Sequence, residues 1–203
     1  MQLKVKDLGF RYDKGPWLFR NLNFEIKAGE IVGLVAPSGR GKTTLSKILA
    51  GYISPVEGYV RLNNQALPRK GRNPIQLIFQ HPEKSINPRW KMIKVLKEAE
   101  MLEQTILDIL GIKKTWLDRQ SNELSGGELQ RFCIARSLSM ETEFLIADEM
   151  TTMLDAINQA QIWHGLMQIA KKRQMGVIIV SHDEDLIQRL CERVIILPEP
   201  KHF

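Results

Sequence analysis

The string Ala36-Pro37-Ser38-Gly39-Arg40-Gly41-Lys42-Thr43 follows the spacing G-x-x-x-x-G-K-[ST] at every fixed position except the first, where alanine stands for glycine. Glycines at 39 and 41 let successive backbone N–H groups turn inward around a phosphate, and a helix starting there adds its positive end. Lys42 is then placed to reach β- and γ-phosphates, and the Thr43 hydroxyl to complete a Mg²⁺ shell made otherwise of phosphate oxygens and water. Thr44 adds a further phosphate contact. A second group, Phe144-Leu145-Ile146-Ala147-Asp148-Glu149, is an apolar run ending in two carboxylates that are costly to bury together without cations or hydrogen bonds. Asp148 suits a Mg²⁺ ion bound through water, and Glu149 suits polarisation of the water that attacks a γ-phosphate. Two weaker candidates follow other apolar runs. His182, in Ser181-His182-Asp183, would touch the γ-phosphate, and Gln80 would meet Mg²⁺ or the attacking water. Taken singly, His182 reads more simply as a surface or structural residue.

Leu124-Ser125-Gly126-Gly127-Glu128-Leu129-Gln130-Arg131 is the most specific string in the chain. A serine and two glycines opening an amphipathic helix make a second phosphate-grasping end, yet it lies far along the chain from Lys42. One chain need not close both ends on one nucleotide. A head-to-tail pair does so twice, the Ser125–Gly127 end of each subunit capping the γ-phosphate held by the other.

These residues need a scaffold, and the hydropathy pattern supplies one. Residues 2–6 and 22–26 alternate as antiparallel strands, 30–35 is a buried strand running into the Gly-rich loop, and 42–50 is a helix closed by Gly51. Residues 60–62, with a turn at Asn63-Asn64, and 75–79 are further strands. Met92, Val95, Leu96, Ala99, Leu102, Ile106, Ile109 and Leu110 trace one helical stripe in a helical insertion, with a second helix after Gly127. Strand 144–147, helix 156–172, strand 176–180, helix 184–191 and strand 193–197 then alternate, which predicts a mostly parallel sheet with helices on both faces.

The 203 residues, 43% hydrophobic and 26% charged, suit one globular domain with a sizeable core. The longest apolar stretches fall far short of the roughly 20 residues that cross a bilayer. The start of the chain does not resemble a secretory signal, so a cytoplasmic location is expected. Cys133 and Cys191 are isolated, which excludes a disulfide framework or a paired metal motif and leaves reduced packing residues. The net charge of +6 is local: Arg69, Lys70, Arg72, Lys84, Arg89, Lys91, Lys94 and Lys97 face only Glu83 within their stretch. That patch lacks interleaved aromatics and any recognition-helix signature, so no nucleic-acid partner is expected; the alternatives are a solvated face or a surface docking on acidic lipid or protein.

In the order of its motifs the chain resembles the nucleotide-binding subunits of ABC transporters over nearly its whole length. The resemblance implies a P-loop ATPase fold of the ABC type, an α/β domain with a mostly parallel core sheet, an N-terminal antiparallel subdomain and an inserted helical subdomain. Residues 1–203 form one such domain, with the RecA-like core in 1–81 and 140–203 and the helical part in 82–139. It implies ATP and Mg²⁺ as ligands, Glu149, His182 and Gln80 as catalytic residues, and Thr43, Gln80 and Asp148 as metal ligands. The 36–44 loop (Ala36, Pro37, Ser38, Gly39, Arg40, Gly41, Lys42, Thr43, Thr44) and Ser125, Gly126 and Gly127 hold nucleotide. Tyr12 resembles the aromatic residue that stacks on adenine, and Thr152-Met153-Leu154-Asp155 looks like the loop that signals to the other subunit's site, with Asp155 against its nucleotide. The implied partners are permease subunits and a second ATPase subunit, identical or related, at the cytoplasmic face of a bacterial membrane. Gln80-His81-Pro82-Glu83-Lys84-Ser85-Ile86-Asn87-Pro88-Arg89 is similar to the corresponding segment of peptide and nickel importers, implying uptake of oligopeptides, nickel or metal chelates, with the basic patch against the permease.

Three departures stand against that pattern: Ala36 for glycine, Met150 for the usual proline, and an end soon after strand 193–197, which suggests a compact subunit relying on a partner ATPase. A methyl group at 36 would crowd the loop, which keeps a non-hydrolysing nucleotide sensor in play beside a soluble ABC-type ATPase. A P-loop kinase or GTPase fits less well, since a guanine-reading Asn-Lys-x-Asp string is absent.

Overall fold

The computed structural model describes residues 1–68, 70–99 and 103–198. Two sheets divide the strands. Strands β1 (Gln2–Phe10), β2 (Phe19–Lys27), β4 (Glu57–Leu62) and β5 (Gln65–Ala66) form an antiparallel sheet in the order β2-β1-β4-β5. Its last turn is Asn63-Asn64, both left-handed (φ 52° and 64°), the two-residue hairpin chemistry that asparagine tolerates. Strands β3 (Ile31–Val35), β6 (Ile75–Ile78), β7 (Phe144–Asp148), β8 (Gly176–Val180) and β9 (Arg193–Ile196) form a second sheet in the order β6-β7-β8-β3-β9, parallel throughout.

Pleating sends alternate residues of that parallel sheet into two cores. Phe144, Ile146, Ile178, Val180, Val32 and Leu34 join one cluster with the antiparallel sheet and helix α1 (Lys42–Leu49). Leu145, Ala147, Val177 and Ile179 join the other with helices α2 (Met92–Lys97), α3 (Gln104–Ile109), α4 (Gly126–Ser137), α5 (Ala156–Arg173) and α6 (Glu184–Leu190). Gly51 closes α1 as expected, its N–H bonding the Ile48 carbonyl at 3.0 Å.

Three expectations need correction. The stripe from Met92 to Leu110 is not one helix: α2 ends at Lys97, and α3 opens afresh after Glu103, which is extended (φ −71°, ψ 131°). A single helix over 92–110 would be about 28 Å long; in its place two helices of six residues each carry Val95, Leu96, Ile106 and Leu110 into one cluster. Leu102 of the stripe and Arg69 of the basic patch lie outside the described residues. Nor is α4 amphipathic; it is buried on nearly every side, with Gln130, Arg131 and Ser137 inside as well as Phe132 and Ile134. The basic patch is also narrower than its sequence, because Arg72 turns inward to the carbonyls of Glu98 and Arg136, while Lys91 pairs with Asp118 at 3.3 Å. No helix among the described residues is long and apolar enough to cross a membrane.

Candidate active site

Parallel strands deliver their following loops to one edge, and register fixes which residues meet there. Leu34 pairs with Val180, Val180 with Asp148, and Ala147 with Ile78, so the loops after β3, β8, β7 and β6 emerge side by side. Those loops carry residues 36–44, Ser181-His182, Glu149 and Gln80.

The first loop arches over its own lysine. Gly39 and Gly41 are left-handed (φ +75° and +84°), and α1 begins directly after Gly41 with no side-chain cap and no acidic residue in its first turn. The longer helices α4 and α5 are capped by Ser125 and Asp155, so α1 alone of these three offers uncapped amides and an undiluted dipole to an anion. Lys42, 6% exposed, donates from Nζ to the carbonyls of Ala36 (2.7 Å) and Pro37 (3.3 Å). Burial pushes its pKa down, opposed by Glu149 and Asp148. Pro37, Ser38 and Gly39 face solvent. Ala36 does not crowd the loop: its methyl is buried in the apolar cluster and its φ is not positive, so glycine is not required there.

Asp148 closes β7 at 4% exposure. Burial raises its carboxyl pKa, and Glu149 pushes the same way, while the Thr43 hydroxyl bonds to it and Lys42 attracts it. Asp148, Thr43 and Gln80 share a cavity of about 270 Å³ with Lys47, Phe79, His81, Lys84 and Ser85. A hydroxyl, a carboxylate and an amide are hard oxygen donors of the kind Mg²⁺ takes. No group of three His, Cys, Asp or Glu side chains able to hold a metal ion occurs among the described residues, so such an ion would take most of its shell from phosphate and water.

Glu149 has φ 50°, a left-handed conformation that glutamate rarely adopts. Its N–H bonds the Val180 carbonyl at 2.9 Å, and its Oε1 lies 3.1 Å from Nε2 of His182. His182 therefore meets Glu149 itself, a pairing its sequence position did not disclose. Gln80 donates to the Thr152 hydroxyl (3.2 Å), which donates to the Glu149 carbonyl (3.0 Å). Tyr12, 55% exposed, sets its hydroxyl 3.1 Å from that of Thr44, with its ring edge-on to Phe10.

Ser125–Gly127 stands apart from this group. Ser125 accepts from the Glu128 N–H while Glu128 accepts from the Ser125 N–H, a reciprocal cap. A Cβ on Gly126 would meet nothing within 4 Å, and one on Gly127 would face Leu154 and Asn158. Among the described residues no hydrogen bond joins this end to the 36–44 loop. Asp155 is also engaged within its own chain: Oδ1 accepts from the N–H groups of Ile157 (3.1 Å) and Asn158 (3.0 Å), and Oδ2 from Asn158 Nδ2 (2.7 Å). Those bonds, the backbone N–H of Asn158 foremost, hold its carboxyl below the usual range. Sequence reasoning missed Thr151, whose hydroxyl accepts from the buried Trp163 indole at 3.1 Å, and Asn158, which Arg131 reaches from α4. Arg131 ends the specific string and was a signal for the second.

The ABC transporter family profile matches residues 19–152. A nickel import ATP-binding protein of Escherichia coli O157:H7 is 31% identical over 96% of this chain and 83% of its own. A putative peptide import ATP-binding protein of Brucella ovis is 33% identical over 87% of this chain and 62% of its own. Among solved structures, the dimeric ATP-binding cassette MJ0796 in a post-hydrolysis state with ADP and Pi superposes with TM-score 0.83 at 25% identity, covering 99% of this chain and 100% of that one. The protein cbiO1 of Clostridium perfringens, part of the ABC transporter complex cbiONQ, gives 0.81 at 26% identity, covering 96% and 84%.

Proposed function

The chain belongs to the ABC transporter family as an ATP-binding, ATP-hydrolysing subunit, and from that premise we propose that it pairs head to tail with a second ATPase subunit around two shared ATP molecules. The observation that carries this reading is the separation just described: the cradle around Lys42 and the open Ser125–Gly127 end share no bond within one chain. Each γ-phosphate gains the Ser125 contacts only across the interface, and that difference between open and closed states is what ATP uses to draw the pair together.

Within each site the 36–44 loop and the α1 amides hold the phosphates, Lys42 reaches the β- and γ-groups, and Tyr12 stacks on the adenine. Thr43, Asp148 and Gln80 would hold Mg²⁺, which when bound supplies neutralisation of phosphate charge. Glu149 takes the proton of the attacking water, with His182 at 3.1 Å fixing its carboxylate. Gln80, bonded to Thr152 beside Glu149, ties occupancy of this site to the segment that follows it, whose exposed Lys84, Arg89, Lys91, Lys94 and Lys97 form the surface offered to a permease at the cytoplasmic face of a bacterial membrane.

The Ser85–Arg89 string and the nickel and peptide import relatives favour uptake of nickel, a metal chelate or an oligopeptide. Glu149→Gln should keep ATP binding and abolish turnover, because it removes the base and leaves the cradle; a variant that hydrolyses at the native rate excludes Glu149 as base. Co-expression with candidate permeases, followed by ATPase assays with nickel chelates and oligopeptides, identifies the solute by which one stimulates turnover.

A further inference from the structure

Arg131 is 8% exposed in the middle of α4, and its guanidinium hydrogen-bonds only to neutral acceptors, with the Glu128 carboxylate acting on it by charge alone. Nη1 donates to the Leu110 carbonyl at the end of α3 (2.6 Å), and Nη2 to Asn158 Oδ1 (3.1 Å) and Gln161 Oε1 (3.0 Å) on α5. Burial disfavours this charge more than Glu128 favours it, and a buried cation hydrogen-bonded to no carboxylate is a poor source of stability, since an apolar side chain of similar volume fills the space without desolvating a charge. What the planar fork supplies is direction, because it locks several acceptors in one plane. One of those acceptors continues toward the interface: Asn158 donates from Nδ2 to Asp155 Oδ2 at 2.7 Å, while Gly127 lies against Leu154 and Asn158. Gln161 has no such continuation.

We propose that Arg131 acting through Asn158 is a positioning pair that holds the Ser125 end of α4 in register with the Asp155 loop, so that both reach the partner protomer's nucleotide as one rigid edge. The inference rests on the shared-pocket reading above and goes beyond it in assigning residues that touch no nucleotide. Without the link, α4 and the 152–155 loop must be ordered separately each time the pair closes, and closure weakens although each cradle still binds ATP.

Gln161 makes the test specific. In the Glu149→Gln chain, ATP-dependent association of two copies is measured by sedimentation velocity, ATP affinity by titration of the dilute monomer, and folding by thermal melting. Asn158→Ala is expected to weaken ATP-driven association about tenfold, the effect of losing roughly one net hydrogen bond, with monomer affinity unchanged. Gln161→Ala, which removes an equally close acceptor from the same guanidinium, is expected to associate like its parent. Arg131→Lys should behave as Asn158→Ala does, and the two together should be no worse than either alone. Equal losses from Asn158→Ala and Gln161→Ala, native association in Asn158→Ala, or a matching loss of monomer affinity each overturn the proposal. Failure of the parent to associate under ATP overturns the shared-pocket reading for two copies, and the inference with it.

Discussion

Replacing Glu149 by glycine and by alanine separates backbone strain from side-chain chemistry. Both variants lose the carboxylate and its 3.1 Å contact with His182, and with them the proposed base. They differ only in what φ 50° demands of the residue. In ordinary helical or extended backbone alanine is the more stabilising by about 0.5–1 kcal/mol, because glycine loses more freedom on folding. In the left-handed region a Cβ costs roughly 1–2 kcal/mol, which offsets that advantage and leaves glycine ahead by up to about 1.5 kcal/mol. For a domain of this size 1 kcal/mol moves Tm by about 2–4 °C. Glu149→Gly should therefore melt above Glu149→Ala by up to about 3–6 °C, with ATP turnover lost in both. Differential scanning calorimetry on nucleotide-free protein reads the order. If the alanine variant melts higher, the position is not strained and the link between its backbone and its role is wrong.

Asp148 gives a second stability test. Burial holds its carboxyl above the ordinary value of 3.8, so the native chain takes up a proton more readily than the unfolded one, and the penalty of the ionised group is present above the folded pKa and gone below 3.8. Asp148→Asn should raise the Tm of the nucleotide-free chain near pH 7, by about 1 kcal/mol or ~2–4 °C, with the gain shrinking as pH falls toward 3.8 and Mg²⁺-dependent hydrolysis lost; melts at several pH values check it. At the two loop glycines an added methyl meets different surroundings: nothing within 4 Å at Gly39, but Phe19 at 3.2 Å at Gly41. Both substitutions put a Cβ at positive φ, at a cost of roughly 1–2 kcal/mol each; Gly39→Ala should add to this chiefly a loss of ATP binding, and Gly41→Ala should melt lower still because its methyl also presses on buried Phe19, as paired melts and nucleotide titrations would show. Reversing Lys91 and Lys94 to glutamate should weaken co-purification with the permease and leave ATP affinity unchanged; unaltered assembly removes the docking reading.

What the sequence disclosed is what short segments encode. The 36–44 loop, the Asp148-Glu149 strand end, the Asn63-Asn64 turn and the Gly51 helix stop are fixed by residues a few positions apart, and they occur where local chemistry puts them. The gap between α2 and α3 was not legible, because a 3.6-residue apolar period continues across a break when both halves bury in one core. The burial of α4 depends on elements far away in the chain, so a helix that reads as amphipathic carries Gln130 and Arg131 inside. The meeting of His182 with Glu149 is likewise a tertiary fact, whereas the engagement of Asp155 as the cap of α5 is local, because its carboxylate accepts from residues two and three positions on.

The departures from local preference collect at one edge of the sheet. Most non-glycine residues with positive φ are Asp or Asn, and Gln174 ends a helix, which leaves Glu149 as the one among the described residues with neither excuse. Beside it lie a lysine and an aspartate desolvated in opposite senses and a helix start without a cap. Each of these is unfavourable in the empty chain, and each is relieved by the same visitor: a polyanion satisfies the amides and Lys42, and a cation held on that polyanion satisfies Asp148. The Ser125 end shows the opposite design, with its serine and the Glu128 N–H already paired inside the chain, Gly127 buried against Leu154 and Asn158, and only Gly126 left open. The first end is therefore built to bind alone and the second to add little until a loaded cradle is brought against it, which is the asymmetry that lets nucleotide decide when two subunits close.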